Sequence, residues 1–293
     1  MAANAAQQSA RQIGRYVLKA KAGEGASGIV YRAYDPLLDR DCAIKLARTQ
    51  MMSDDEIRHV VEEFHHEAQI AGKFAHEHVV TIYDVFCQGR LNYMVMEFVP
   101  GRSVDDYMEA TGPLDVAEAL ALIHKCCIGL AYVHYNGMIH RDIKPGNIMY
   151  HPAHGVVKLM DFSIAHKIEQ PPARDNGTIA YMAPEHFDRK RRISVLTDIF
   201  AMGSTMYRIL TGQYPFDKQH TAFQILHQDP EPMASIRADI PPALERLVQK
   251  AMAKADDERF QSAAELTRAI EDLAEQLYPR SGLLDNARQY LQL

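Results

Sequence analysis

The sequence predicts an α+β protein of two lobes, and three observations predict it. Between Ile13 and about Pro100, apolar and β-branched residues come in short runs separated by turn residues, the signature of strands. A single helical period interrupts those runs. Beyond Pro100-Gly101 long helical periods take over, so a cleft is expected between a β-rich N-terminal third and a helical remainder. The 293 residues are 47% apolar and 24% charged, which excludes a disordered or fibrous chain.

Each element has a local reason. Tyr16-Val17-Leu18 opens the first strand. Gly28–Ala33 and Cys42–Ala47 form two more, joined by a turn around Asp35-Pro36, and Leu91–Val99 is rich in β-formers. The helix starts at Ser53-Asp54-Asp55-Glu56, with the Ser-x-x-Glu spacing of a capping box. It continues through Ile57, Val60, Val61, Phe64, Ala68 and Ala71 at a helical period. The later helices are expected at Asp115–Asn136, Ser194–Leu210, Pro242–Ala253 and Ser262–Leu277. The opening MAANAAQQSAR lacks the apolar core of a secretory signal and reads as a tail over residues 1–12. Residues 278–293, with Pro279 and Gly282, read as a tail, linker or terminal helix.

Charge and cysteine content narrow the function classes. The 32 Lys and Arg against 38 Asp and Glu give a net charge of −6, which disfavours nucleic acid or an anionic membrane as the main partner. No apolar stretch reads as long enough for a membrane span. Cys42, Cys87, Cys126 and Cys127 form no Cys-x-x-Cys pair, so zinc and thioredoxin-like chemistry have no foothold. Four thiols in a chain this long suggest a reduced, cytoplasmic setting.

Gly23, Gly25 and Gly28 stand in Gly-x-Gly-x-x-Gly spacing. Glycines let a backbone approach phosphates and aim amides at them, although a plain turn has the same composition. A dinucleotide-binding loop would open a helix, but β-like Ile29-Val30-Tyr31 follows. A P-loop would need Gly-Lys-Ser/Thr, which is absent. A glycine hairpin between two strands remains. Lys45, within Cys42-Ala43-Ile44-Lys45-Leu46, is costly in an apolar strand unless its ammonium has a partner or snorkels at an edge. At roughly 100° per helical residue, Glu67 falls at the edge of the apolar stripe, Glu63 further round and Glu62 nearly opposite. Glu67 is therefore the acid expected to face inward.

Three further runs carry a family. Residues 140–147 read His-Arg-Asp-Ile-Lys-Pro-Gly-Asn, 161–163 read Asp-Phe-Ser, and 183–185 read Ala-Pro-Glu. With the glycine loop and Ala43-Ile44-Lys45, these resemble the eukaryotic-like Ser/Thr protein kinases, most closely their bacterial branch. The resemblance covers residues 13–277 and implies the bilobal kinase fold, with an N-lobe over 13–97 and a C-lobe over 101–277. It implies ATP and Mg2+ as cofactors, a protein Ser/Thr hydroxyl as acceptor, and autophosphorylation. It also admits a homodimer.

Residue by residue, the resemblance assigns Asp142 to the substrate hydroxyl and Lys144 to the transferring phosphoryl group. Asn147 and Asp161 go to magnesium, and Lys45, held by Glu67, to the α- and β-phosphates. Ala22, Gly23, Gly25 and Gly28 would cover the nucleotide. Val30 and Ala43 would lie on one side of the adenine and Met149 on the other. Met96 is similar to a gatekeeper, and Glu97 and Val99 to a hinge. Gly177 to Met182 is similar to a peptide-docking segment that includes Thr178. Asp198 and Gly203 match the helix that anchors the catalytic loop, and Arg259 matches the partner of Glu185.

The chain departs from the family pattern in three places. Ser163 stands where glycine is usual, and Ala22 where a larger aliphatic is usual. From Ile164 to Gly177 there is no Ser, Thr or Tyr, so Arg141, which in this family meets a phosphorylated loop residue, is expected to pair with Glu169 or Asp175, or else to be solvated. The expected activity is thus independent of activation-loop phosphorylation. Two other functions compete with this one. One is a pseudokinase scaffold that binds nucleotide without turnover; the intact set of Lys45, Glu67, Asp142, Asn147 and Asp161 argues against it. The other is a small-molecule kinase, disfavoured by the peptide-docking segment. His59, His65, His66, His76 and His78 read as a solvated helix face and loop, and Asp256-Asp257-Glu258 as a helix start or loop.

Overall fold

Gly25 and Gly28 face each other in the antiparallel pairing of residues 16–25 with 28–35 in the computed structural model. The structure describes residues 11–25, 28–47, 54–88, 91–162, 165–167, 179–188, 190–216, 221–279 and 282–284. The chain divides into two compact units. One comprises residues 1–75 with 80–99, the other residues 76–79 with 100–293.

The first unit is a six-stranded antiparallel sheet. Its strands are β1 (Gln12–Ile13), β2 (Tyr16–Gly25), β3 (Gly28–Asp35), β4 (Arg40–Leu46), β5 (Ile82–Gln88) and β6 (Leu91–Glu97). They lie in the order β1-β2-β3-β4-β6-β5. Because successive strand residues point to opposite faces, Cys42 and Ile44 join Tyr16, Ala33, Tyr93 and Val95 in one apolar layer. Lys45 points to the other face, on which α1 (Asp54–Ala71) packs through Phe64 against Ala47 and Met94. Ser53 lies outside the described residues, and with it the capping box. β5 is a strand that sequence periodicity does not announce, because its outward positions include Tyr83 and Asp84, both exposed.

The second unit is mainly helical, with α2 (Val104–Thr111), α3 (Val116–Tyr135), α4 (Val195–Thr211), α5 (Thr221–His227), α6 (Met233–Ile236), α7 (Pro242–Ala251) and α8 (Ala263–Leu277). The expected helix starts are N-caps. Asp115 accepts the Glu118 N–H at 2.7 Å, Ser262 accepts that of Glu265 at 3.0 Å, and Ser194 forms a reciprocal capping box with Thr197. Short strands β7 (Arg102–Ser103), β9 (Ile148–His151) and β10 (Val156–Leu159) form one sheet. β8 (Met138–Ile139) and β11 (His166–Lys167) pair separately. Asp256–Glu258 is a single 3-10 turn.

Two expectations change here. By length and composition α3 is apolar enough to cross a membrane, contrary to the sequence reading, but about two thirds of it is buried against neighbouring elements of the unit. A helix packed on most sides needs apolar residues on most sides. His76 and His78 are not solvated either. His78 is buried beside α3, with Nδ1 3.1 Å from the Val157 carbonyl, and His76 stacks on Tyr132 with centroids 4.8 Å apart. Beyond α8, Tyr278, Leu283 and Leu284 pack on the unit's core.

Candidate active site

The first unit supplies the glycine hairpin and a buried ion pair. β2 carries register shifts between Leu18 and Ala20 and between Lys21 and Gly23, which re-aim the strand where it approaches its glycines. A side chain at Gly23 would meet open space, so glycine there leaves the backbone uncovered. Gly28 has φ +147°, and a Cβ would stand 2.4 Å from the Leu46 carbonyl oxygen, so only glycine fits. Ala22 is exposed, and the side-chain environment of Gly25 lies outside the described residues. Val30 sits opposite Lys45 in the ladder, and Ala43 opposite Met96. The Glu97 N–H donates to the Thr81 carbonyl at 2.9 Å, and Val99 is buried.

Lys45 donates to both carboxylate oxygens of Glu67, at 2.9 and 2.8 Å, and each residue is only 5% exposed. The strand period aims Lys45 at α1, and the helical period brings Glu67 round to meet it. Glu62 is exposed, as its place on the helix requires, whereas the Glu63 side chain lies outside the described residues. Each charge offsets part of the cost of desolvating the other.

The second unit supplies a loop built on one buried carboxylate. Asp198, near the start of α4, accepts the backbone N–H groups of His140 at 2.8 Å and Arg141 at 2.7 Å, and lies 2.8 Å from His134 Nε2. Burial pushes the Asp198 carboxyl up. The hydrogen bond and charge of His134 and the nearby His140 outweigh it and hold the group below the usual carboxylate range. Arg141 adopts φ 69° and Asp161 φ 63°, a left-handed backbone that costs an L residue energy and persists only where the surroundings impose it. The His140 ring lies against Phe162, with centroids 4.6 Å apart and Nε2 3.2 Å from the Met160 carbonyl.

On this loop Asp142, Lys144 and Asn147 converge. Lys144 Nζ is 2.7 Å from Asp142 Oδ2, and Asn147 Nδ2 donates to the Asp142 carbonyl and Oδ2, both at 2.8 Å. The Asn147 amide hydrogens are thereby committed to Asp142, which leaves the Asn147 side-chain oxygen, Oδ1, as a hard ligand for a cation. Asn147 and Asp161 are tied through the backbone, since the Met160 N–H donates to the Asn147 backbone carbonyl at 3.0 Å. Met149 is half-buried on β9, opposite Ser103 and Lys158.

A second buried anchor holds the Ala-Pro-Glu segment. Arg259 grips Glu185 bidentately, with both N···O distances 2.9 Å, and Thr197 adds a hydroxyl at 2.9 Å. At Gly203 a Cβ would come within 2.9 Å of both Met252 and Ala251, so glycine lets α4 approach this region closely.

Ser163, Glu169, Asp175, Gly177 and Thr178 lie outside the described residues. Arg141 itself is 3% exposed, which removes the reading of a solvated arginine. The sequence reading missed His134. Its signal was available: a histidine in the last turn of α3, shortly before the His140 loop.

Comparison with known proteins shows the family. The sequence model of the protein kinase domain matches residues 16–271. The chain is 35% identical over 265 residues to serine/threonine-protein kinase PknB of Mycolicibacterium smegmatis, covering 86% of this chain and 42% of that protein. It is 33% identical over 264 residues to serine/threonine-protein kinase PrkC of Bacillus subtilis, covering 88% of this chain and 40% of that protein. A probable serine/threonine-protein kinase of Corynebacterium efficiens, CE0033, is 33% identical over 284 residues, covering 91% and 42%. The chain thus spans about two fifths of the length of these relatives.

Proposed function

Since this chain belongs to the protein kinase family, we propose that it transfers the γ-phosphoryl group of ATP to Ser and Thr hydroxyls of protein substrates, itself included. The observation that carries the proposal is the Asp142 carboxylate, fixed between Lys144 and Asn147 on a loop that Asp198 holds by its backbone. Phosphoryl transfer asks a protein for positioning and charge neutralisation more than for covalent chemistry.

In this reading Asp142 orients the acceptor hydroxyl and takes its proton as the new P–O bond forms. Lys144 neutralises charge on the transferring group. Lys45, kept in place by Glu67, holds the α- and β-phosphates. The donor set of Asn147 and Asp161 fits magnesium. Two oxygen donors are enough for a cation that takes few protein ligands and fills its shell with phosphate and water. When bound, the cation neutralises the phosphates and orients them.

The reading extends to regulation. Residues 164–177 contain no hydroxyl side chain, so activity is expected without phosphorylation there, with Glu169 or Asp175 as the counter-charge for Arg141. The free thiols Cys42, Cys87, Cys126 and Cys127 support a reducing, cytoplasmic setting for this domain.

Intact mass before and after incubation with ATP and magnesium tests the proposal, with Asp142→Asn in parallel. Added phosphates on the wild type alone are expected, and phosphatase treatment should leave the rate unchanged. No phosphate on wild type or on a generic protein substrate would refute the proposal.

A further inference from the structure

The second unit contains a cavity of about 370 Å³ lined by none of the residues given a catalytic, nucleotide or metal role above. Its floor is apolar: Tyr207, Met233, Val248 and Met252 are all buried. Its rim is acidic. Asp229, Glu231 and Glu258 are exposed, and Glu245 stands half-buried beside them. Glu245 accepts the Met233 N–H at 2.8 Å and Glu231 the Ser235 hydroxyl at 2.8 Å. Asp229 and Glu258 make no side-chain hydrogen bond among the described residues.

One cation, Lys254, also lines the cavity and interacts with the charge of Asp229, but a single ammonium stands against the four carboxylates Asp229, Glu231, Glu245 and Glu258. The Lys254 Nζ is buried, makes no hydrogen bond among the described residues, and lies 4.4 Å from the centre of the Phe216 ring. The opening therefore presents carboxylates to solvent above an apolar well.

An apolar well under a ring of carboxylates complements a side chain with a hydrocarbon stem and a cationic tip. The stem buries against Met233, Val248 and Met252 while the tip stays among the carboxylates, partly hydrated. Arginine and lysine have this build. An acidic or purely apolar ligand does not, because it would either meet like charge or strip water from the carboxylates without compensation. We propose that this socket docks an arginine or lysine side chain from a basic segment of a protein partner. The proposal is separate from phosphoryl transfer and can be tested without turnover.

The probe is a fluorescein-labelled hexa-arginine peptide, its binding to the full chain followed by anisotropy at low salt. The Asp229→Lys/Glu258→Lys variant is expected to bind roughly tenfold more weakly, because two exposed attractions become repulsions. The neutral Asp229→Asn/Glu258→Gln variant should fall between. A charge-matched control, Glu62→Lys/Glu109→Lys, changes two exposed carboxylates elsewhere and should keep the wild-type affinity within about twofold. Unchanged affinity in Asp229→Lys/Glu258→Lys, or an equal loss in the control, would overturn the proposal.

Discussion

The Lys45 ammonium touches both carboxylate oxygens of Glu67, at 2.9 and 2.8 Å, inside the first unit. Glu67→Ala would leave a buried ammonium without that counter-charge and should cost about 3 kcal/mol. Replacing both partners removes both charges, so Lys45→Met/Glu67→Gln should be more stable than Glu67→Ala alone, yet equally unable to transfer phosphate. Urea midpoints and kinase rates on the same preparations separate the two effects. Equal stability of the single and double variants would mean that the pair does not set the fold.

Arg259 and Glu185 form a second buried pair, with both N···O distances 2.9 Å. Burial raises the Glu185 carboxyl, but the Arg259 hydrogen bonds and charge bring it below its ordinary value. Arg259→Leu should cost about 3 kcal/mol, since it removes the bidentate partner of a buried carboxylate and leaves it the Thr197 hydroxyl at 2.9 Å and Arg191 at 3.6 Å. Adding Glu185→Leu should recover part of that loss. A double-mutant cycle measured by denaturant unfolding gives the coupling, and a cycle that closes to zero would show the pair to be energetically idle.

The two periodicities explain what could be read before the structure. Period 2 along β4 and period 3.6 along α1 place Lys45 and Glu67 on converging faces, and the cap residues Asp115, Ser194 and Ser262 mark helix starts by their own chemistry. The histidines show where such reading ends. His78 belongs to a four-residue segment, residues 76–79, that packs with the second unit. Only long-range contact buries it, and no local pattern reports that. The same holds for Arg141, whose burial is imposed by tertiary surroundings. β5 escaped because an edge strand with Tyr83 and Asp84 exposed lacks clean alternation. α3 was legible as a helix from its period and its Asp115 cap, but its apolar length was underestimated, and burial on most sides explains why it lacks the polar stripe that marks a surface helix.

His78 should make stability depend on pH. Burial lowers its pKa from 6.5 to about 4, opposed by its hydrogen bond to the Val157 carbonyl. The unfolded chain therefore binds the extra proton first as pH falls. The contribution is fully present above about pH 6.5 and is lost between there and pH 4, up to about 3 kcal/mol. His78→Gln should remove most of that slope. Unfolding free energies at pH 7, 6, 5 and 4.5 for both proteins provide the comparison; parallel curves would contradict the assignment.

Gly28 offers a test of the hairpin that is separate from the charged residues. Its φ is +147°, and an alanine Cβ at this position would stand 2.4 Å from the Leu46 carbonyl oxygen, so alanine must move backbone rather than a flexible side chain. The expected cost is about 1–3 kcal/mol, local to the end of β2 and β3. Gly23→Ala meets open space and should leave stability within about 1 kcal/mol. If the hairpin backbone approaches phosphates, both variants should weaken ATP binding, Gly28→Ala by distorting the loop and Gly23→Ala by covering its amides. ATP affinity and urea midpoints measured side by side would separate the two causes. Wild-type stability in Gly28→Ala would show that the ladder between β3 and β4 yields more easily than its geometry indicates.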